Sequence, residues 1–281
     1  MREVLIIGVG AGDPDYITIQ AIKALNRVDA FFVVDKGTAK DELVALRKEI
    51  CERHITGSDY RFVEVSDPER DRTPKDSAAY AGAVQAWLEQ RAAMFEQLIT
   101  DELTESGDGS CGAFLVWGDP SLYDGTIRII DQLVERARVP FEYSVIPGVS
   151  SLHSLTARHR IPLNRIGEPI QITTGRRLAA GMPPGMDNVV VMLDGECAFL
   201  RVDDDDVQIY WGAYLGTPDE LLISGPVTKV GAEIERVRAQ ARERKGWIMD
   251  TYLLRRTLPT PTPTPTPPTP TPSSVRPTAV G

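Results

Sequence analysis

Hydrophobic and polar positions along this chain fall into two textures. Through about residue 158, short apolar or β-branched runs alternate with longer stretches of helical spacing. Residues 4–9, 30–34, 61–65, 113–117 and 141–146 predict strands, while 18–27, 41–53, 78–103 and 126–138 predict helices, with Leu43, Leu46 and Ile50 on one face. Alternation of this kind belongs to a parallel sheet covered on both faces. The segment 67–75 holds eight ionisable or turn-forming residues in nine and predicts an exposed loop.

From about residue 169 the texture changes. Runs at 169–174, 188–193, 208–214, 221–227 and 247–254 predict strands, and 232–245 is the one clear helix. Strands outnumbering helices predict a mixed sheet. The fold class is therefore α/β in two domains: a parallel-sheet α/β domain over 1–158 and a mixed-sheet α+β domain over 159–258. Beyond them, 259–281 opens as PTPTPTPTPPTPTPSS, which has no apolar pattern with which to build a core and predicts a disordered, polyproline-like tail.

Composition excludes several classes. Of 281 residues 42% are hydrophobic, enough for ordinary cores. The formal charge is -9, and Arg276 is the only charge from Pro259 on, so the rest carries about -10. Nucleic-acid binding needs a basic face to displace counterions, and none is in prospect. No apolar run approaches the roughly 20 residues that span a bilayer, and a short strand opens the sequence, so a cytoplasmic protein is expected. Cys51, Cys111 and Cys197 lack CxxC or His-paired spacing and predict unreactive thiols, with no metal site. Asp203 to Asp206 reads as a solvated turn, because consecutive carboxylates seldom converge on one ion.

Three glycine turns carry the candidate chemistry. The first, in VLIIGVGAGDPDYIT, ends a strand with Gly8, Gly10 and Gly12 but places Asp13, then Pro14, where a dinucleotide fingerprint has its last glycine. A carboxylate there would repel a diphosphate. The rival reading, an NAD(P) oxidoreductase using Asp35 for the ribose, is weakened accordingly. The second turn, LVWGDPSLYDG, follows the fourth strand: Gly118 admits close backbone approach, Pro120 fixes the turn, and Asp119 can accept hydrogen bonds. The third, IPGVSS, follows the fifth strand and starts a helix with two hydroxyls. In open α/β sheets ligands bind at the carboxyl ends of strands, where all three turns lie.

GxGxGD, a strand ending in GDP, and PGxS, in this order and spacing, resemble the class III tetrapyrrole methylases, over roughly residues 4–255. The resemblance implies two α/β domains with S-adenosylmethionine (SAM) between them, usually as a homodimer. HRIPLNRIGEPIQITTGRR and residues 214–225 are similar to the members that methylate C1 of precorrin-5 in aerobic cobalamin biosynthesis, with water expelling an acetyl group as acetate. Other members act on uroporphyrinogen or other precorrins. Carried over by position, the SAM contacts are Ala11, Trp117, Gly118, Asp119, Leu122, Ser150, Ser151, Met192 and Ala213. Ala11 stands where many members have proline, and Trp117 where many have glycine.

Methyl transfer asks chiefly for orientation. Deacetylation needs water to attack a carbonyl, where a base helps. Asp13, Asp35 and Tyr123 are the catalytic candidates, each in a loop at a strand end. Gly10 and Gly12 are placed on the substrate side, and Arg176 and Arg177, with Arg158, Arg160 and Arg165 nearby, are the candidate clamp for a polycarboxylate.

Overall fold

The computed structural model describes residues 1–35, 41–69, 77–104 and 109–257, with the side chains of residues 35, 41 and 77–81 outside that description. The tail and most of the 67–75 loop fall outside the described residues. The first half runs β1 (Arg2–Gly8), α1 (Ile19–Leu25), β2 (Ala30–Asp35), α2 (Asp41–His54), β3 (Arg61–Ser66), α3 (Ser77–Glu102), β4 (Cys111–Val116), α4 (Thr126–Arg136), β5 (Phe141–Ile146) and α5 (Ser151–His159). Its five strands are all parallel, in the order β3-β2-β4-β1-β5. Central β4 is buried at every position, whereas the edge strand β3 is fully buried at none. That contrast follows from helices covering both faces of a parallel sheet. One face is filled by Phe32, Phe95, Ile99 and Phe114 under α3 and α4, the other by Leu5, Ile7, Leu25 and Ile50 under α1 and α2.

The second half runs β6 (Gln171–Thr174), α6 (Gly175–Leu178), β7 (Asn188–Met192), β8 (Val207–Ala213), β9 (Leu221–Pro226), α7 (Val227–Lys245) and β10 (Asp250–Arg256). Its sheet has the order β6-β7-β10-β8-β9, with β6 and β7 parallel and the other pairs antiparallel, a mixed sheet as predicted. Trp211, Phe199 and Tyr252 fill the face under α7. The opposite face is covered by Leu152 and Leu155 of α5, packed on Val190 and Leu253. The last helix of the first half thus belongs to the packing of the second.

Helix α7 begins at Val227, well before the predicted 232. Gly231 depresses helix propensity, yet a Cβ there would come within 3.1 Å of the Leu200 side chain, so the glycine is a packing position inside the helix. Strand β10 starts at Asp250, after the predicted 247, because Gly246 in the left-handed conformation ends α7 and the chain must first turn. All three thiols are buried; burial pushes Cys51 and Cys111 up to about 12, which leaves them protonated and unreactive. Asp203 to Asp206 precedes β8, with Asp204 paired to Arg256. No described helix is long and apolar enough to cross a membrane.

Candidate active site between the two sheets

The carboxyl ends of β4, β1 and β5 lie side by side, so the three glycine turns meet above one edge of the first sheet. They touch backbone to backbone. A Cβ at Gly8 would stand 2.6 Å from the Gly148 nitrogen, and one at Gly148 would stand 2.1 Å from the Gly118 carbonyl oxygen. Gly118 N–H donates to the Gly10 carbonyl at 2.8 Å, and Gly10 N–H returns the bond at 3.3 Å. A side chain at Gly8 or Gly148 would force the turns apart.

Asp119 fastens the second turn to the third. Its carboxylate accepts from the Gly148 N–H and the Ser121 N–H, each at 2.9 Å, and from the Ser121 hydroxyl. Burial pushes this carboxyl upward, but the bonds from Ser121 and Gly148 prevail and hold it below the usual carboxylate range. The sequence reading offered Asp119 to a ligand; the structure uses its oxygens to hold the loops. Ser150 precedes α5, and its hydroxyl lies 2.8 Å from His153 Nδ1 and makes no cap bond, leaving the start of the helix to its backbone amides.

Above this edge and below the second sheet is a cavity of about 270 Å³. Ala11 comes to it from the first turn, Trp117, Gly118, Asp119 and Leu122 from the second, Ser150 and Ser151 from the third, and Met192 from β7 across the cleft. Eight of the nine positions carried over for the cofactor therefore share one wall or the other. Ala213 does not: it is fully buried in the core under α7, because alternation along β8 turns it away, and its neighbour Tyr214 lines the cavity instead.

Most of the second wall was missed from the sequence. Leu193, Leu215, Trp247, Met249 and Thr251 line it, together with one face of Asp250. Thr251 pairs with Met192 across the β7–β10 ladder, so its place depends on an antiparallel register that no local pattern encodes. Beneath this wall lies a buried polar network. Asp250 accepts from Arg238 Nε at 2.9 Å and Trp211 Nε1 at 3.0 Å; Arg238 also donates to the Asp194 carbonyl at 2.7 Å; Tyr252 donates to the Asp194 carboxylate at 2.6 Å. Burial pushes the Asp250 carboxyl up, against the pull of Arg238.

A second, open groove of about 800 Å³ adjoins the cavity, with Trp117, Tyr214, Thr217 and Trp247 common to both. The two halves are clasped along it. A Cβ at Gly12 would stand 2.1 Å from the Leu215 carbonyl oxygen, and one at Gly216 would stand 2.7 Å from the Asp13 nitrogen. Lys245 joins Glu42 of α2 at 2.8 Å and Asp219 at 2.5 Å, Arg158 pairs with Glu220 at 2.6 Å, and His159 Nε2 donates to the Trp211 carbonyl at 3.0 Å.

Asp13 borders the groove, its carboxylate capping the turn at Asp15 N–H over 2.9 Å. Tyr123 lines the cavity with positive φ and a half-exposed ring. Asp35 ends β2, but its side chain lies outside the described residues. Gly10 packs against Tyr16 and Gly12 against the Leu215 carbonyl, and Gly12 also lines the open groove. Arg176 and Arg177 are exposed on α6, at the sheet edge that carries Met192 but outside both spaces. Of the other arginines, Arg158 and Arg165 are engaged with Glu220 and Glu168, and Arg160 ends α5 in the left-handed conformation.

Residues 3–231 match the family model described as Tetrapyrrole (Corrin/Porphyrin) Methylases. The chain belongs to the tetrapyrrole methylases. A precorrin-6A synthase [deacetylating] from Sinorhizobium sp is 52% identical over 256 residues, covering 91% of this chain and 96% of that one. Among solved structures, a cobalamin synthesis related protein (CobF) from Corynebacterium diphtheriae superposes with a TM-score of 0.77 at 39% identity, over 91% of this chain and 99% of that one. A uroporphyrin-III C-methyltransferase from Thermus thermophilus, complexed with S-adenyl homocysteine, shares the fold at a TM-score of 0.52 and 14% identity, over 90% and 92% of the two chains. The glycine junction and the cleft are what this tetrapyrrole methylase builds with that fold.

Proposed function

We propose that this methylase transfers a methyl group from SAM to C1 of precorrin-5, with loss of acetate, giving precorrin-6A in aerobic cobalamin biosynthesis. The likeness that covers nearly the whole of the Sinorhizobium enzyme supports this choice over uroporphyrinogen or another precorrin. The observation that carries the cofactor is the cavity itself: backbone-lined on one side, apolar on the other, and free of any Cβ where the three turns meet. Such a site suits a flat base and a sulfonium better than a diphosphate, which also sets aside the NAD(P) reading.

SAM, when bound, supplies an electrophilic methyl group. The chain's own task is to hold that methyl in line with the carbon in a space closed to water, which orientation alone can accelerate greatly. Met192, Leu193 and Thr251 press from the second sheet, and Trp117 stands between the cavity and the groove that takes the tetrapyrrole. Deacetylation is assigned to Asp13, Asp35 and Tyr123, with one carboxylate taking a proton from the attacking water. Arg176 and Arg177, exposed on α6 outside both spaces, attract the substrate's outer carboxylates. The enzyme acts in the cytoplasm as a homodimer.

Incubation with SAM and enzymatically generated precorrin-5, following product mass and acetate together, tests the reading. Methyl gain with equimolar acetate is the expected result. Methyl gain without acetate removes the deacetylation, and SAM binding with no transfer redirects the enzyme to another tetrapyrrole.

A further inference from the structure

A third cavity, of about 170 Å³, lies behind Trp117, between the ends of β2 and β4 and the helices α2 and α3. It shares Trp117, Asp124 and Met249 with the cofactor cavity and Leu43 with the groove, so the three spaces are contiguous around one indole. Its walls are mostly apolar: Phe32, Val34, Phe95 and Phe114 among them. Into this apolar space comes Arg47 of α2.

Arg47 donates from Nε to the Leu115 carbonyl at 3.1 Å and from Nη1 to the Leu43 carbonyl at 3.2 Å. These bonds fix the guanidinium plane and leave Nη2 without a protein acceptor among the described residues. Nor does Arg47 form an ion pair with any of them; Asp124, the carboxylate that acts on it electrostatically, instead accepts from Thr126 N–H at 2.7 Å. The other arginine at this cavity, Arg91, is already paired with Asp67 at 3.0 Å. Trp117 adds a second open donor: its Nε1 is buried with no partner. Buried charges in folded proteins are paired, and a buried N–H without an acceptor costs free energy. A guanidinium with no carboxylate partner among the described residues, lining the same space as an indole N–H that has no acceptor, is the arrangement that an anion completes.

We propose that this cavity is a carboxylate subsite, in which Arg47 Nη2 and Trp117 Nε1 hold either a carboxylate side chain of the tetrapyrrole or the acetate that leaves it. The inference rests on the reading of the neighbouring cleft as a precorrin methylase site. A carboxylate fits better than a phosphate because one planar fork and one added N–H match two oxygens in a narrow apolar slot. It also differs from the exposed clamp of Arg176 and Arg177: a half-buried cation held in an apolar slot selects a particular group, whereas a surface cation attracts any.

The test uses Arg47→Met and Arg47→Lys in the full-length enzyme, with S-adenyl homocysteine binding as the check that the cofactor cavity is intact. Sodium acetate, with sodium chloride as the ionic-strength control, is the free probe. The wild type is expected to be inhibited and thermally stabilised by acetate beyond the chloride control, and Arg47→Met to lose both. If the subsite holds a substrate side chain, the KM for precorrin-5 rises about ten- to a hundredfold in Arg47→Met while acetate stays equimolar with methyl transfer. If it holds the leaving group, KM changes little and methylated product that retains its acetyl group accumulates. Arg47→Lys, which keeps the charge and loses the fork, falls between. Should Arg47→Met prove insoluble, Trp117→Phe, which removes the N–H donor and trims the ring, is expected to weaken acetate inhibition about threefold or more while S-adenyl homocysteine still binds. Wild-type enzyme that methylates precorrin-5 but shows no acetate effect, with KM and acetate yield unchanged in the variants, overturns the subsite alone. A wild type that does not act on precorrin-5 but still binds acetate through Arg47 keeps the subsite and sinks the substrate assignment.

Discussion

The two walls of the cleft are built by different means. The first sheet contributes backbone: three turns from distant parts of the chain interlock because Gly8 and Gly148 carry no Cβ, and Asp119 ties the result together. The second half contributes side chains: Met192 and Thr251 stand on strands, and Leu193 and Trp247 on the turns beside them, over the buried Asp250, Arg238, Asp194 and Tyr252. A backbone wall fixes where a ligand can approach. A side-chain wall decides which ligand fits, and it can change residue by residue without disturbing the other.

The comparison breaks most severely where charge is buried. Arg238→Ala leaves Asp250 unpaired in the interior and is expected to cost about 3–5 kcal/mol, read as a lowered denaturation midpoint. Replacing both partners together, Arg238→Met with Asp250→Leu, should recover most of that loss. If the double variant is no better than the single one, the network supports the second wall by packing rather than by charge.

On the backbone wall, Gly148→Ala brings a methyl against the Gly118 carbonyl. It should cost about 1–3 kcal/mol and also weaken S-adenyl homocysteine binding by tenfold or more, measured by calorimetry. A variant that loses stability but binds normally would separate the glycine junction from the cofactor. Asp119→Ala, next in size, releases the third turn without a clash. It leaves the Gly148 N–H without its acceptor, at about 1–2 kcal/mol, with the loss of affinity exceeding the loss of stability.

The smallest effect sharpens the clasp between the halves. Burial holds His159 below the usual imidazole pKa, despite the opposing pull of the Trp211 carbonyl and Glu220. The unfolded chain therefore takes up a proton near pH 6.5 that the folded chain refuses until lower pH. This part of the stability is complete above about pH 6.5 and declines as the pH falls toward the folded pKa. Thermal melts from pH 5 to 8 should show the slope in the wild type and a flatter line in His159→Gln, a difference smaller than any of those above.

The same contrast explains what was legible in the sequence. Backbone sites leave glycines at strand ends, and those are visible without a structure: GVGAGD, GDP and PGVSS marked the first wall, and the parallel-sheet alternation placed them together. The second wall depends on the β7–β10 register and on the position of α5 over the second sheet, which are tertiary facts. Met192 is legible only through the family resemblance, and Ala213, carried over with it, faces the core under α7. Trp247 and Met249 lie where the chain turns out of α7 and were read as strand. Arg47 left no sequence signal beyond a charge on an amphipathic helix, since its burial comes from the packing of α2 against the end of β4.

The most direct test is a crystal structure with S-adenyl homocysteine. The account predicts the ligand in the 270 Å³ cavity, with its polar groups on the backbone of Gly118 and Ser150 and its base against Met192 and Thr251. Ligand bound elsewhere, or a cavity that stays closed to it while NADH binds, would contradict the account.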